Sequence, residues 1–248
     1  MKFGNTIITL ETVDSTNNYA ANLLRQPDVS EGTVVMSSFQ SMGKGQRGAV
    51  WQSEPGANLL ASLILRPRSM RAAQQFAINQ FVCIGLVDYL KIAFELDAVI
   101  KWPNDILVNE QKLGGVLIEC SIRGADIESV VVGMGINVNQ QSFSGELNAT
   151  SLRLLTGDVV DLKDLLNEML HRLEKAYGLI DRRDELTRKY LDGLYGVNED
   201  LYYREEDEVY QARISGIGPH GELQLQKSNG ERVSRVFKQV ELLGKFLR

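Results

Sequence analysis

The chain has 248 residues, of which 44% are hydrophobic and 24% are charged, and its formal net charge is -5. This length and composition are typical of one large folded domain, or of a main domain with a small appendage, that buries a substantial core. The negative net charge argues against general nucleic-acid binding, because proteins with that function present a basic face.

The first two thirds of the chain predict a mixture of helices and strands. A polar cluster at residues 14–18 precedes apolar residues at helical spacing, which predicts the start of an amphipathic helix. Residues 33–39 and 58–65 predict two strands, the second of them buried. Residues 71–95 carry apolar side chains at helical spacing and predict a long helix that faces the core. Further strands are predicted at 98–102, 105–109, 113–120 and 129–138, followed by two helices between residues 161 and 193.

After about residue 198 the pattern changes to short alternating segments that are separated by turn residues. The turn Ser228-Asn229-Gly230 is a strong hairpin signal. We therefore divide the chain into a domain of residues 1–197 and a small β-barrel-like domain of residues 198–248. The predicted fold class is α+β with an all-β C-terminal domain. Its strands are predicted at 201–204, 208–214, 222–226 and 232–237.

Residues 43–48, Gly-Lys-Gly-Gln-Arg-Gly, form the most informative segment. Three glycines expose the backbone N–H groups, and two cations add positive charge, a combination that suits an anion. Three known phosphate-binding patterns nevertheless fail. A dinucleotide fingerprint needs a helix directly after the glycines and an acidic residue further on, and a Walker motif needs Lys-Ser/Thr where Ala49-Val50 stand. A protein kinase needs His-Arg-Asp and Asp-Phe-Gly segments, which the sequence lacks.

A second polar group, Lys101-Trp-Pro-Asn-Asp105, ends an apolar strand and begins a turn. With the glycine-rich segment it gives the chain four candidate anion-binding cations: Lys44, Arg47, Lys101 and Lys112. No pattern for a nucleophilic serine or cysteine accompanies them. Joining a carboxylate to the α-phosphate of ATP suits such a site, because a carboxylic acid with a pKa of about 4 is already ionised at pH 7 and needs no general base.

Cysteine and histidine are scarce, with two of each. Cys83 and Cys120 lie in apolar segments, so we expect buried thiols in a reducing compartment rather than a disulfide. Without a Cys/His cluster a zinc site is excluded. The N-terminus has no apolar run of signal-peptide length, and no stretch approaches the roughly 18 apolar residues of a membrane span. We therefore expect a cytoplasmic protein.

Five motifs together resemble the biotin protein ligases, because they occur in the order and approximate spacing of that family. They are Ser15-Thr16-Asn17 with Gln40, residues 43–48 with Trp51, residues 101–105, Lys112-Leu-Gly-Gly115, and Gly133-Met-Gly-Ile-Asn137. The match covers about residues 14–140. It implies an α+β fold with a mixed-sheet catalytic domain of the biotin/lipoate ligase type, followed by a small C-terminal SH3-like β-barrel.

The resemblance also implies an activity. Members of that family make biotinyl-5′-AMP from biotin and ATP with Mg2+, then transfer biotin to a lysine of the carrier domain of a biotin-dependent carboxylase. A biotin carboxyl carrier protein or domain is the expected partner, and the metal ligands are not identified by the motifs. Because the first motif begins at residue 15, the family's N-terminal winged-helix domain is not expected. We therefore expect no DNA and no membrane binding, while the motifs allow a homodimer.

Each matching position takes a role from the resemblance. Lys101, between the biotin carboxylate and the α-phosphate, and Arg47, at the phosphates, are the expected catalytic residues. The expected biotin-binding residues are Ser15, Thr16, Asn17, Gln40, Lys44, Gly45, Gln46, Lys101, Gly114, Gly115, Gly133 and Gly135. The expected ATP-binding residues are Lys44, Arg47, Trp51, Asn104, Asp105, Lys112 and Asn137.

Two alternatives stay open. Lipoate-protein ligases share the fold and the adenylation chemistry, but the dithiolane of lipoate has no urea to pair with Ser15, Thr16 and Gln40. A site built to hydrogen-bond a urea rejects such a substrate, because its polar groups are left unpaired. A non-catalytic biotin or nucleotide sensor is the second alternative, and Lys101 together with the full glycine-rich segment argues against it.

The glycine-rich segment departs from the family in its charge. Lys44 and Gln46 stand where many members carry arginine, and Ala49 replaces a frequent basic residue. The segment therefore carries less positive charge than the fullest version of the motif. This raises the question of how tightly biotinyl-5′-AMP is retained before transfer.

We predict that Arg47→Ala slows adenylate formation more than it weakens biotin binding, because the guanidinium is expected at the phosphates rather than at the urea. A biotin titration and a pyrophosphate-exchange assay measure the two effects. Equal losses in both would contradict the assignment.

Overall fold

The computed structural model describes residues 3–26, 28–144 and 147–244, and the side chain of Arg47 lies outside the described set. Its main feature is a seven-stranded sheet with the spatial order β1-β2-β3-β7-β6-β5-β4. The first two strands pair in parallel and every other neighbouring pair is antiparallel, which confirms the expected mixed sheet. The strands are β1 Ile7–Val13, β2 Val34–Gln40, β3 Leu59–Leu65, β4 Val99–Lys101, β5 Asp105–Val108, β6 Gln111–Arg123 and β7 Asp126–Ile136.

Helices cover both faces of this sheet. They are α1 Thr16–Leu23, α2 Phe76–Phe94, α3 Leu152–Thr156, α4 Leu162–Tyr177 and α5 Arg183–Asp192. Helix α2 packs against α4, α5 and three strands, while α1 packs against β2, β3 and β7. Side-chain alternation along β3 explains the two layers: Leu63 and Leu65 join the main core, and Ile64 joins Ala20 of α1 in a smaller apolar cluster. The start of α1 is thereby held against the middle of the sheet.

The predicted long helix is confirmed, but the expectation that no segment is as long and apolar as a membrane span was wrong. Residues 72–94 are long and apolar enough to cross a membrane by length and composition, contrary to the expectation that no stretch approaches a span. The most apolar window of this segment is 67% buried inside the fold. Its apolar side chains therefore serve as the core between the sheet and the neighbouring helices.

The other predicted strands and helices are confirmed, and two elements of the larger domain were not among them. Strand β1 lies at the edge of the sheet, and its residues are half-buried or exposed. An edge strand with polar residues on both faces gives only a weak alternation signal. Helix α3 has five residues, which is too short for helical periodicity to emerge.

The C-terminal strands form a separate five-stranded antiparallel sheet with the order β11-β10-β9-β8-β12, which is consistent with an SH3-like domain. They are β8 Asp200–Glu205, β9 Glu208–Ile217, β10 Leu223–Lys227, β11 Arg232–Arg235 and β12 Glu241–Gly244. The four predicted strands are confirmed, and β12 is an addition. The division between residues 197 and 198 stays a prediction, and it falls in the connection between α5 and β8.

The C-terminal sheet is docked on the larger domain through Trp102. The indole Nε1 donates a hydrogen bond to the carbonyl oxygen of Gly221 at 2.9 Å. The ring of Trp102 packs against Phe237 with 6.0 Å between the ring centroids. Beside it, His220 Nδ1 lies 3.1 Å from the carbonyl oxygen of Ala73. Trp102 of the motif at residues 101–105 therefore takes part in holding the second domain in place.

We predict that Gly221→Ala destabilises this docking more than Gly230→Ala. Both glycines have positive φ, 95° and 89°, so alanine strains the backbone similarly at each. A Cβ at Gly221 would collide with the ring of Phe76, whereas no described atom lies within 4 Å of a Cβ at Gly230. The clash adds roughly 1–3 kcal/mol of destabilisation. Thermal denaturation measures the difference, and equal Tm values would contradict it.

Candidate active site

A cavity of about 270 Å³ opens between the start of α1, the glycine-rich segment and strands β6 and β7. All five motifs, which are distant from one another in sequence, contribute residues to its lining. The predicted residues that line it are Ser15, Thr16, Asn17, Gln40, Lys44, Gly45, Gln46, Trp51, Asn104, Asp105, Lys112, Gly115, Gly133 and Gly135. The C-terminal domain adds Phe237 and Lys238 to the wall, and neither residue was predicted.

Three predicted residues are placed elsewhere among the described residues. Lys101 lines an adjoining cavity of about 410 Å³. Gly114 faces Ile136 within the sheet. The amide of Asn137 is buried and donates to the carbonyl oxygen of Thr150 at 3.0 Å, so it holds backbone together. The ligand contacts expected of these residues stay predictions, as does the role of the Arg47 side chain. The two cavities share Asn104, Asp105, Phe237 and Lys238.

Uncharged polar side chains form a hydrogen-bonded network at one end of the cavity. Gln40 Oε1 accepts hydrogen bonds from the backbone N–H and the hydroxyl of Thr16, at 2.7 and 2.9 Å. Ser62 Oγ lies 2.8 Å from Thr16 Oγ1 and 2.6 Å from Asn17 Oδ1. Thr16 and Asn17 are each 3% exposed, and Ser15, at the N-cap position of α1, is 1% exposed. This end suits a neutral polar group, because buried polar atoms need hydrogen-bond partners.

Ser62 and Glu119 were missed, although both hold predicted residues in place. Ser62 is the one residue of the apolar strand β3 that carries a hydroxyl group, and it is fully buried. Glu119 Oε2 accepts a hydrogen bond from Asn17 Nδ2 at 2.7 Å. A lone serine in an apolar strand is a visible signal, but its partners are 45 and 46 residues away. Only the pairing of the strands brings them together.

The glycine-rich segment folds as a small hairpin over the cavity. Lys44 pairs with Val50 across an antiparallel bridge. Gly45 N–H donates to the Ala49 carbonyl at 2.7 Å, and Trp51 N–H donates to the Gly43 carbonyl at 3.0 Å. A short 3-10 helix, Gln46–Gly48, forms the tip. The N–H groups of Gly45 and Trp51 are thus hydrogen-bonded within the hairpin. The contacts of Lys44, Gly45 and Gln46 with biotin and the phosphates stay predictions.

The ammonium of Lys44 is directed to the neutral end of the cavity. Lys44 Nζ donates to Asn18 Oδ1 and lies 3.7 Å from Glu119 Oε1. Asn18 Nδ2 in turn donates to Asp14 Oδ2 at 2.6 Å. This bond from Asn18, together with the N–H of Ser15, holds the pKa of Asp14 below its usual value. Lys44 therefore ties the hairpin to α1 and β6. Its expected contacts with biotin and ATP stay predictions.

Trp51 covers the cavity above β7. A Cβ added at Gly135 would lie 2.6 Å from Trp51 Cε2, and one added at Gly133 would collide with Asn17 Oδ1. The absence of side chains at these two positions thus makes room for Trp51 and Asn17, where a close approach to biotin was expected. Within the described part of the chain, Trp51 Nε1 is buried without a hydrogen-bond partner. A buried donor of this kind is stabilised when a ligand supplies an acceptor.

A cation and a carboxylate lie at the other end of the cavity. Lys112 Nζ forms an ion pair with Asp105 Oδ1 at 2.7 Å, and it lies 5.7 Å from the centroid of the Trp51 ring. Asn104 stabilises the backbone beside this ion pair through two hydrogen bonds with Val116. Its side-chain amide donates to the Val116 carbonyl, and its backbone carbonyl accepts from the Val116 N–H at 3.1 Å. One end of the cavity therefore presents the uncharged side chains of Thr16 and Gln40, which we call the neutral end although the Lys44–Glu119 pair lies beside it. The other end presents the Lys112–Asp105 ion pair.

Among the described residues, no three His, Cys, Asp or Glu side chains converge as a metal site would require. Asp105 is the carboxylate in the described lining of the main cavity. Mg2+ is commonly held by one or two carboxylates together with substrate phosphates, and a single carboxylate beside a phosphate site fits that arrangement.

Residues 9–137 match the biotin/lipoate A/B protein ligase family. The chain is 35% identical over 235 residues to the biotin--[acetyl-CoA-carboxylase] ligase of Paracoccus denitrificans, covering 90% of this chain and 95% of that protein. It is 32% identical over 238 residues to the bifunctional ligase/repressor BirA of Bacillus spizizenii, covering 92% of this chain and 71% of the relative. The structure superposes on the biotin protein ligase of Aquifex aeolicus in complex with biotin and ATP with a TM-score of 0.80 at 25% identity, covering 97% and 100% of the two chains.

We predict that Gly135→Ala displaces the Trp51 indole and exposes it to solvent, because the new methyl group and the ring cannot occupy the same space. Acrylamide quenching of Trp51 fluorescence, measured in a Trp102→Phe background, reports the exposure. Gly193→Ala is the matched control, since its Cβ would find its nearest neighbour at an ordinary 3.4 Å. Unchanged quenching in Gly135→Ala would contradict the packing described above.

Proposed function

The chain belongs to the biotin/lipoate A/B protein ligase family, and we propose that the cavity beneath the glycine-rich hairpin is where it joins biotin to ATP. The protein is a biotin protein ligase. The observation that carries the site assignment is the division of one cavity into a neutral hydrogen-bonding end at Thr16 and a charged end at Lys112. Biotin has the same division, with a neutral urea at one end and a carboxylate at the other.

The urea of biotin lies against the neutral end. Thr16, Asn17 and Gln40 present hydroxyl and amide groups there, and Ser15 completes the corner. These side chains carry no net charge, so they hydrogen-bond a urea without the cost of burying an unpaired ion. The valeryl chain then runs beneath Trp51 toward Lys112.

The carboxylate end is where the reaction takes place. The ionised carboxylate oxygen attacks the α-phosphorus of ATP, and the bond from that phosphorus to the β-phosphate oxygen breaks. Pyrophosphate leaves with the bonding electrons. No general base is required, because a carboxylic acid with a pKa of about 4 is already an anion at pH 7. Lys112 offsets the repulsion between the carboxylate and the phosphates, and Trp51 covers the reacting groups.

Mg2+ bound with ATP would reduce the negative charge of the phosphates, and Asp105 would be the carboxylate in the described lining that holds it. Lys112, which pairs with Asp105 at 2.7 Å, would then contact the phosphates. Lys101 lines the adjoining cavity, and we propose that it contacts the β- and γ-phosphates.

In the second step the amine of a carrier lysine attacks the acyl carbon of biotinyl-5′-AMP, and AMP leaves. The acceptor is the biotin carrier domain of a carboxylase, in keeping with the Paracoccus relative named for acetyl-CoA carboxylase. The free thiols Cys83 and Cys120 support a cytoplasmic setting. The absence of DNA and membrane binding and the homodimer stay predictions.

Exchange of labelled pyrophosphate into ATP tests the proposal. The expected result is exchange that depends on biotin and does not occur with lipoate in its place. Exchange with lipoate alone would assign the protein to the lipoate ligases. Binding of biotin without exchange would favour a sensor.

We predict that Lys112→Ala lowers kcat for exchange by about a hundredfold, because it removes a fixed cation from the reaction centre. Lys101→Ala should chiefly raise KM for ATP, since Lys101 lines the adjoining cavity. Steady-state exchange kinetics at varied ATP separate the two effects. A larger loss of kcat in Lys101→Ala than in Lys112→Ala would contradict the role proposed for Lys112 and would support Lys101, the catalytic residue expected from the sequence.

We predict that Gln46→Arg slows the release of biotinyl-5′-AMP, because it adds a cation to a hairpin tip that lines the cavity. Release is measured by trapping free adenylate with hydroxylamine. The control Gln52→Arg adds the same charge outside the described lining of the cavity. Equal release rates from Gln46→Arg and the control would contradict a role for hairpin charge in retention.

A further inference from the structure

Ser62 holds an unusual place in strand β3. It is fully buried between Ala61 and Leu63, and alternation along the strand turns it toward α1. A buried hydroxyl is destabilising unless it is hydrogen-bonded. Ser62 meets that requirement through Thr16 and Asn17, the two residues that carry the neutral end of the cavity.

The network around Ser62 has fewer hydroxyl protons than oxygen–oxygen contacts that need one. Three oxygen–oxygen contacts join Ser62 to Thr16, Ser62 to Asn17, and Thr16 to Gln40. Asn17 Oδ1 and Gln40 Oε1 are carbonyl oxygens and only accept, so the two hydroxyl groups supply the two available protons. One contact therefore lacks a hydrogen.

Rotating an amide does not supply the missing proton. Asn17 Nδ2 donates to the carboxylate of Glu119 at 2.7 Å, and turning it would place Oδ1 against that carboxylate. Gln40 Oε1 accepts from the backbone N–H of Thr16 and is fixed in the same way. If Ser62 donates to Thr16 and Thr16 donates to Gln40, Asn17 Oδ1 is the oxygen left without a donor among these three contacts. A ligand N–H directed at Asn17 Oδ1 would supply that donor.

We propose that Ser62 is a positioning residue that donates to Thr16 and thereby directs the Thr16 hydroxyl proton to Gln40. Asn17 Oδ1 is then left to accept from a ligand, so that the site selects an acid whose head group carries N–H donors. The inference rests on the proposed function, since it concerns the acid that is adenylated. A cyclic urea offers two N–H groups, whereas a dithiolane offers none. Ser62 does not line the cavity among the described residues and acts through its two neighbours.

Ser62→Ala tests the inference. Its expected effect is a rise in the Kd for biotin of about tenfold, with the KM for ATP unchanged, because the lost hydroxyl orients only the urea end. The ratio of exchange with biotin to exchange with lipoate should fall by a similar factor. Ser37→Ala is the control, since Ser37 is also fully buried on a neighbouring strand and donates to the Phe39 carbonyl at 2.8 Å outside this network.

A double-mutant cycle with Thr16→Ala separates positioning from general damage. If Ser62 acts through Thr16, then Ser62→Ala weakens biotin binding less in the Thr16→Ala background than in the wild type. Fully additive losses, or equal effects of Ser62→Ala and Ser37→Ala, would overturn the inference. Should Ser62→Ala fail to fold, Ser62→Cys keeps the volume with a weaker donor, and it is expected to raise the Kd for biotin while leaving the KM for ATP unchanged.

The same assays distinguish this inference from the proposed function. Wild-type protein that shows no biotin-dependent exchange defeats the proposed function itself. Wild-type exchange together with Ser62→Ala binding biotin as tightly as Ser37→Ala defeats only the role of Ser62.

Discussion

The burial of uncharged polar side chains at the start of α1 is the constraint on which the site depends. Thr16 and Asn17 lie against the centre of a seven-stranded sheet, where an unpaired hydroxyl or amide would be strongly destabilising. Partners from three other strands satisfy them: Gln40 at the end of β2, Ser62 within β3 and Glu119 of β6. The position of α1 and the chemistry of the cavity are therefore set by the same hydrogen bonds.

A single cavity holds both the uncharged hydrogen-bonding side chains around Thr16 and the Lys112–Asp105 ion pair. Under the proposed function, the hydrogen-bond network at one end accepts from a urea, and the Lys112–Asp105 pair at the other end offers charge to a carboxylate and phosphates. The hairpin that covers the cavity is tied down by Lys44 at the neutral end, through Asn18 and Glu119. The C-terminal domain completes the wall with Phe237 and Lys238, so it takes part in the site as well as packing beside it.

Much of the fold follows from the sequence, because helical and alternating periodicities report which face of an element is buried. The five motifs also indicate which segments meet. What they do not give is the register of the strands. Lys101 and Lys112 both lie beside Asp105, on β4 and β6, and only the observed pairing and ion pair place Lys112 in the main cavity. Local sequence likewise carries no signal that Ser62 contacts α1, or that Phe237 reaches Trp102 from more than 130 residues away.

A crystal structure of the protein with biotin bound would show which end of the cavity holds the urea. We expect the urea within hydrogen-bond distance of Thr16 and Asn17, with the carboxylate directed toward Lys112 and the chain beneath Trp51. Biotin bound in the reverse orientation, or in the adjoining cavity that Lys101 lines, would contradict it.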